Sequence, residues 1–347
     1  MPEARSAPRA PLHSETAAHV KLVFFGDGAW AANGLRRLSQ DGHDILAVAV
    51  RCRPSTEELA ETARSLNLPL LQPTDANSQE FLAVVSGLAP ELNLSVSYDQ
   101  IVRRPLLESA PMGFVNFHAG KLPFYRGRNV INWALVNGET EIGVTAHFMD
   151  EGIDTGDIVL QKTLPIGWTD TYGDVLARVV GAFPDLVSDT VAAIGGGTAI
   201  RRPQSHLAGT YFGGREPGDE WLDWADTSRN LHNKVRAISR PGPGARTRLS
   251  GRTVLVWRAF WDSSWPSYLA TPGQVVGRKM EEGVLVKTGD STLLVTEVQE
   301  EAGIAGRPLW PIGTRLETPP SAPLEALRAE FDALRRRVET RGTHDGR

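Results

Sequence analysis

The stretch Asn116-Phe117-His118-Ala119-Gly120-Lys121-Leu122-Pro123-Phe124-Tyr125-Arg126-Gly127-Arg128-Asn129 is followed, after one more apolar run, by Asp150-Glu151-Gly152-Ile153-Asp154-Thr155-Gly156-Asp157. The residues Gly113 to His118 are rich in aromatic and β-branched types and read as a strand, so Asn116 and His118, two apart, project from one face. Gly120 and Leu122-Pro123 break the strand just beyond them. The pair therefore sits near a strand's C-terminal end, where open α/β sheets keep their ligand sites. The next strand, Ile142 to Met149, ends in an Asp- and Gly-rich loop that can swing Asp154 toward the pair. A carboxylate there can orient His118 and keep its other ring nitrogen basic.

Around this segment the chain reads as an α/β protein. From Lys21 to about Arg201, strands alternate with helical stretches such as Ser55 to Asn67 and Tyr172 to Ile194, which argues for a helix-covered, mostly parallel sheet. Lys21-Leu22-Val23-Phe24-Phe25-Gly26-Asp27-Gly28 reads as the first strand and glycine turn, with a helix from about Ala29. The turn lacks the full Gly-x-Gly-x-x-Gly spacing, and no acidic residue ends the second strand, Asp44 to Val50, so a nicotinamide dinucleotide is not expected. After Gly195-Gly196-Gly197 and the linker Arg202-Pro203-Gln204-Ser205 comes a short helix near Ser228 to Ala237. Strand-like runs then follow at Thr253 to Ala259, Gly273 to Val276, Gly283 to Lys287 and Thr292 to Gln299, with Gly289-Asp290 marking a hairpin. They predict a small β-barrel. The expected organisation is a leader over 1–20, a catalytic domain over 21–203, a barrel over 204–318 and a helical tail over 319–347. The tail repeats apolar residues at Leu324, Leu327, Phe331, Leu334 and Val338, spacing that predicts an amphipathic helix docked on the barrel or, alternatively, joining two copies in a homodimer.

Composition narrows the function classes. The 347 residues contain one cysteine, Cys52, which permits no internal disulfide and fits a reducing cytoplasm. No run approaches the roughly eighteen apolar residues of a membrane span. Eight histidines form no His-x-x-x-His pair, so no metal is expected. A net charge of −4 offers no overall electrostatic footprint for a polyanion such as nucleic acid. Six tryptophans between Trp221 and Trp310 lack interleaved basic residues and read as core and pocket wall.

A lone strand histidine is more often structural than catalytic, but here the neighbours form an ordered set. Asn-x-His, then Leu-Pro-x-Tyr-Arg-Gly, then Asp-Thr-Gly after the following strand resemble the signature of the folate-dependent formyltransferases, whose fold is that of methionyl-tRNA formyltransferase. The resemblance implies a Rossmann-like catalytic domain followed by an OB-like barrel, and 10-formyltetrahydrofolate as cosubstrate. It implies that Asn116, His118 and Asp154 are the catalytic trio, and that the donor is held by Ser97, Tyr98, Asp99, Ile101 and Gly152. The residue types suit the chemistry, because formyl transfer to an amine builds negative charge on oxygen, which an amide N–H can meet, and releases a proton, which an imidazole can take.

Within the family, His118 to Asn129, Trp133-Ala134-Leu135 and the later Thr210-Tyr211-Phe212-Gly213-Gly214-Arg215 look closest to amino-sugar N-formyltransferases, such as the domain acting on UDP-4-amino-4-deoxy-L-arabinose. Arg126, Arg128 and Asn129 would then hold an acceptor's pyrophosphate, although a surface ion pair is an equal reading of the arginines. The tRNA-formylating branch usually has a basic, glycine-rich insertion after the second strand and Ala-Ala-Pro after the Arg-Gly turn. Arg51 to Glu58 and Arg128-Asn129-Val130 match neither. The expected acceptor is a nucleotide-linked amino sugar; hydroxyornithine, a carrier-bound aminoacyl group and methionyl-tRNA are the alternatives.

Overall fold

The computed structural model describes residues 19–52, 57–300 and 303–317. The expected leader, apart from its last two residues, and the amphipathic tail lie outside these residues. The chain forms two compact units that interleave along the sequence. Of the described residues, 19–126, Gly143–Leu164 and Val179–Thr210 make the first; Gly127–Ile142, Pro165–Arg178 and those from Tyr211 to Glu317 make the second.

The first unit is built from β1 (Lys21–Gly26), α1 (Gly28–Gln40), β2 (Asp44–Val50), α2 (Glu58–Ser65), β3 (Leu70–Leu71), α3 (Gln79–Leu88), β4 (Leu92–Val96), α4 (Arg104–Leu107) and β5 (Phe114–His118). A two-residue β6 (Arg126–Gly127) and α5 (Val130–Val136) follow, then β7 (Glu141–Phe148), β8 (Ile158–Pro165) and α6 (Tyr172–Gly195). The sheet order is β3-β2-β1-β4-β5-β7-β8. The pairs among β1 to β5 are parallel and β7 runs antiparallel to β5. Every residue of β1 after Lys21 is buried, as is every residue of β4, because helices cover the sheet. At the end of β1 the backbone comes so close to α1 that a Cβ on Gly26 would lie 2.8 Å from the Ala31 Cβ and from the Val96 carbonyl oxygen. Gly26 pairs with Val96 and Val96 with Phe117, so the loops after β1, β4 and β5 leave the same edge of the sheet.

The second unit contains β9 (Tyr211–Phe212), α7 (Ser228–Ala237), β10 (Ala245–Leu249), β11 (Arg252–Phe260), β12 (Val275–Lys279), β13 (Gly283–Lys287), β14 (Thr292–Glu300) and β15 (Leu316–Glu317). The six strands from β10 onward pair antiparallel in the order β12-β13-β14-β11-β10-β15. Backbone bonds Val275 N→Thr314 O, Gly313 N→Val275 O and Leu316 N→Gly273 O join the two edges, which closes the sheet on itself. The β13–β14 turn does double duty: Asp290 accepts from the backbone N–H groups of both Ser228 and Ser291, so it organises the hairpin and the first turn of α7. Helix α5 belongs to this unit because it packs on α7, where Asn132 Nδ2 donates to the Ala237 carbonyl at 2.6 Å. Trp224, Trp257 and Trp310 are core residues, and Trp261 lines a pocket with Trp168, Arg229, Asp262 and Ser263.

Candidate active site

Asn116 and His118 leave the same face of β5, and β7 places His147 directly opposite Asn116. The loop after β7 returns Asp154 to these side chains. His118 Nδ1 is 3.6 Å from Asp154 Oδ2, Asn116 Nδ2 is 3.4 Å from Asp154 Oδ1, and His147 Nε2 is 3.4 Å from the same Oδ1. Asn116 Nδ2 is also 3.2 Å from His147 Nε2. His118, His147 and Asp154 are at least about nine-tenths buried, so water screens their interactions weakly.

The hydrogen bonds assign both imidazole tautomers. His118 Nε2 lies 2.6 Å from the Tyr125 carbonyl oxygen, which only accepts, so Nε2 carries the hydrogen. The basic nitrogen is therefore Nδ1, on the side of Asp154, and not the nitrogen remote from it, as a conventional relay would have it. His147 Nδ1 donates likewise to the Phe148 carbonyl at 2.8 Å, which leaves Nε2 as the acceptor for Asn116 Nδ2. The Asn116 amide nitrogen is thereby turned into the site. His147 was the residue sequence reasoning passed over. The signal was its register opposite Asn116, which is invisible until the β5–β7 pairing is known.

The loop that carries Asp154 is tightly stitched. Asp150 Oδ1 accepts from Gly152 N at 3.0 Å and from Thr155 Oγ1 at 2.5 Å. Asp154 has φ 54°, in the left-handed region. At Gly156 a Cβ would meet the Phe148 carbonyl oxygen at 1.9 Å, so only glycine fits the return against the end of β7.

Beyond β4, Ser97 has φ 59° and turns the chain away from the sheet; its carbonyl accepts from Arg51. Arg51 bridges Asp27 at 3.2 Å and Asp99 at 3.6 Å. Among the described residues the buried Tyr98 hydroxyl has no hydrogen-bond partner, while Arg51 Nε and Asp99 Oδ1 face each other in the 3.6 Å ion pair; burial pushes the Tyr98 phenol above its usual range. Ile101 is 70% exposed and its carbonyl accepts from Asn77 Nδ2. Gly152 stands apart from this group, in the Asp150 turn.

The three residues expected at an acceptor phosphate part company. Arg126 is fully buried, and its guanidinium lies 2.8 Å from Gln204 Oε1, so it is not open to an acceptor. Arg128 and Asn129 are exposed and belong to the second unit. There Asn129 Oδ1 accepts from Arg215 N at 3.1 Å, and Arg128 N donates to the Phe212 carbonyl. Among the described residues, Arg215 Nε and one terminal nitrogen are buried without hydrogen-bond partners. Among the described residues no group of three His, Cys, Asp or Glu side chains is arranged to hold a metal ion, and no helix is long and apolar enough to cross a membrane.

A Rossmann-like sheet brings an amide, an imidazole and a carboxylate together at its ligand edge, residue types suited to group-transfer chemistry. The formyl transferase model matches residues 20–191 and the formyl transferase C-terminal domain model matches 215–306. The methionyl-tRNA formyltransferase of Pelotomaculum thermopropionicum is 37% identical over 288 residues, 81% of this chain and 91% of that protein. This chain belongs to the formyl transferase family. Two solved structures share the fold. The sugar 3N-formyl transferase WlaRD, solved with dTDP and 5-N-formyl-THF, has TM-score 0.63 and 19% identity over 82% of this chain and 99% of its own. The N-formyltransferase of Helicobacter canadensis, in complex with folinic acid and dTDP-3-aminofucose, has TM-score 0.62 and 21% identity over 81% and 99%.

Proposed function

We propose that the enzyme formylates the amine of a nucleotide-linked amino sugar, using Asn116, His118 and Asp154. The observation that carries the mechanism is the convergence of the three side chains within 3.6 Å contacts, on residues 38 positions apart. The donor, 10-formyltetrahydrofolate, supplies the formyl carbon, and the loop around Ser97 to Ile101 holds it. When the amine adds to that carbon, Asn116 turns the Nδ2–H of its long 3.4 Å contact with Asp154 to the charge developing on oxygen, while His147 keeps the other. His118 Nδ1 accepts the proton released by the amine, and Asp154, 3.6 Å away, stabilises the resulting imidazolium; as the tetrahedral adduct collapses, the bond from the formyl carbon to N10 breaks and the imidazolium returns that proton to N10, so tetrahydrofolate leaves neutral. The Tyr125 carbonyl keeps the ring from presenting its other nitrogen.

The acceptor reading is supported by the turn after the catalytic strand. In place of the Ala-Ala-Pro usual in the tRNA-formylating branch it has Arg128-Asn129-Val130. Asn129 ties this turn to the Gly213-Gly214-Arg215 loop, and together Arg128 and Arg215 offer two guanidinium groups suited to a diphosphate. A second reading, formylation of methionyl-tRNA, is supported by the names of relatives at 29 to 37% identity. The test supplies 10-formyltetrahydrofolate with dTDP- and UDP-linked amino sugars, hydroxyornithine and methionyl-tRNA, and detects formylated product by mass spectrometry. Preferred turnover of an amino sugar, with Arg128→Ala raising KM more than it lowers kcat, supports the proposal. Product from methionyl-tRNA or hydroxyornithine alone overturns the acceptor and leaves the trio's roles standing.

A further inference from the structure

A buried relay reaches the Asp154 loop from the far side of the site. Arg126 Nε and Nη2 lie 3.2 and 2.8 Å from Gln204 Oε1. Only an acceptor can face two guanidinium N–H groups, so the amide's orientation is fixed with its oxygen toward Arg126. Its nitrogen then points the other way, donating to the Asp154 carbonyl at 3.0 Å and the Gly156 carbonyl at 2.7 Å. Both amide hydrogens and the oxygen are used, inside a region where Arg126 is fully buried and Gln204 is 7% exposed. All of these residues lie in the first compact unit. Arg126 is itself locked in place: its N–H donates to the Thr210 carbonyl, and a Cβ at Gly209 would lie 2.3 Å from Nη1.

We infer that Gln204, held by Arg126, is a positioning residue that fixes the Asp154 carboxylate by gripping the backbone on both sides of Thr155. The inference rests on the reading that Asp154 serves His118. Three facts point to it. Asp154 occupies the left-handed region, which a residue with a side chain adopts at a cost and keeps only when its surroundings hold it there. The grip falls on Asp154 and Gly156, the backbone that sets the direction of the Asp154 side chain, and on no other element. The charge on Arg126 polarises the amide and strengthens its two donor bonds, as expected of a chain of hydrogen bonds in a low-dielectric interior. A catalytic carboxylate displaced by an ångström loses much of its effect, so such a strut has a direct consequence for rate.

The test uses the full chain. Gln204→Glu keeps the side-chain length and an acceptor for Arg126 but has no N–H for the two carbonyls. Arg126→Lys, which keeps the charge and removes the fork, covers the case in which Gln204→Glu fails to fold. Two readouts apply. The first is turnover of 10-formyltetrahydrofolate with whichever acceptor the mass-spectrometric panel selects: kcat should fall at least about 10-fold while KM for the folate stays within about twofold. The second needs no acceptor: the pH midpoint of the His118 ring, followed by NMR, should move in the same direction as in Asp154→Asn. The double variant Gln204→Glu with Asp154→Asn should be no worse than Asp154→Asn alone, because the two act on one step; a merely structural loss would add. If Gln204→Glu folds and keeps both kcat and the His118 midpoint while Asp154→Asn loses them, the inference is wrong and the reading of Asp154 stands. If Asp154→Asn itself changes neither, that reading fails and takes the inference with it.

Discussion

Replacing Asp154 with Asn is the sharpest perturbation of the site, because it keeps the shape of the side chain and removes only its charge. The carboxylate oxygen stands 3.6 Å from His118 Nδ1, the nitrogen that the Tyr125 carbonyl leaves basic. At that distance Coulomb's law gives about 4–5 kcal/mol for an imidazolium–carboxylate pair at an effective dielectric near 20, and about 1 kcal/mol in bulk water. Both groups are about nine-tenths buried, which places the value toward the upper figure. Charge transfer is incomplete in the transition state, so about 3–4 kcal/mol is realised, corresponding to a loss of roughly 10²–10³ in kcat. The assay is single-turnover formyl transfer from 10-formyltetrahydrofolate with enzyme in excess, which removes product release from the measured rate. KM for the folate should change little, because the charge acts on the proton and not on donor binding. An Asp154→Asn enzyme within about threefold of wild-type kcat would refute the reasoning, since no placement of a proton on Nδ1 is indifferent to that charge.

Three other outcomes are expected. Asn116→Ala should lower kcat by about 10²–10³, the usual loss for one oxyanion donor, with the thermal transition nearly unchanged. Asp290→Ala should destabilise the second unit by about 1–3 kcal/mol in thermal or denaturant unfolding, because the Ser228 and Ser291 N–H groups lose their acceptor. Burial pushes Asp290 up, but the bonds from Ser228 and Ser291 hold it below the usual carboxylate value, so this contribution is present at neutral pH and lost as pH falls below that value. Stability should also decline as pH drops below about 6.5: burial holds His43 and His232 under their ordinary value, so the unfolded chain takes up protons first. Melting curves at stepwise lower pH check this, and His232→Gln should flatten the slope.

Local patterns carried much of the fold. The strand Phe114–His118, the helix Ser228–Ala237 and the strands Gly283–Lys287 and Thr292–Glu300 stand where alternation, turn residues and glycines placed them, within a residue or so. Strand Ala245–Leu249 was not anticipated, since its Ala-Arg-Thr-Arg-Leu sequence puts charge where a strand signal needs apolar residues. Its small buried positions, Ala245 and Thr247, face the barrel, and Arg246 and Arg248 lie only partly covered on the other side. The interleaving of the two units was equally unreadable. Helix α5 is short and apolar, and nothing in Val130 to Val136 announces that it packs on α7 a hundred residues later.

The site divides along the same physical line. Asn116 and His118 were legible because a strand's two-residue period decides which side chains share a face. Asp154 was legible from its loop. His147 and Gln204 were not, because each acts through a partner fixed by tertiary register: one through the β5–β7 pairing, the other through a guanidinium 78 positions earlier. Arg126 shows the converse error. An arginine beside the Asn116–His118 strand invites a phosphate, yet its neighbours Gly209 and Gln204 enclose it, and its charge is directed inward at the loop that bears Asp154. That reassignment separates the two arginines of one turn by function: Arg126→Ala should lower kcat for every acceptor alike, whereas Arg128→Ala should raise KM only for acceptors that carry phosphate. Comparing the two variants on a nucleotide-linked amino sugar and on a phosphate-free amine, with each kcat and KM measured separately, tests this assignment. Equal KM effects on both amines would place Arg128 outside the acceptor site, and a KM effect of Arg126→Ala confined to phosphate-bearing acceptors would return that arginine to it.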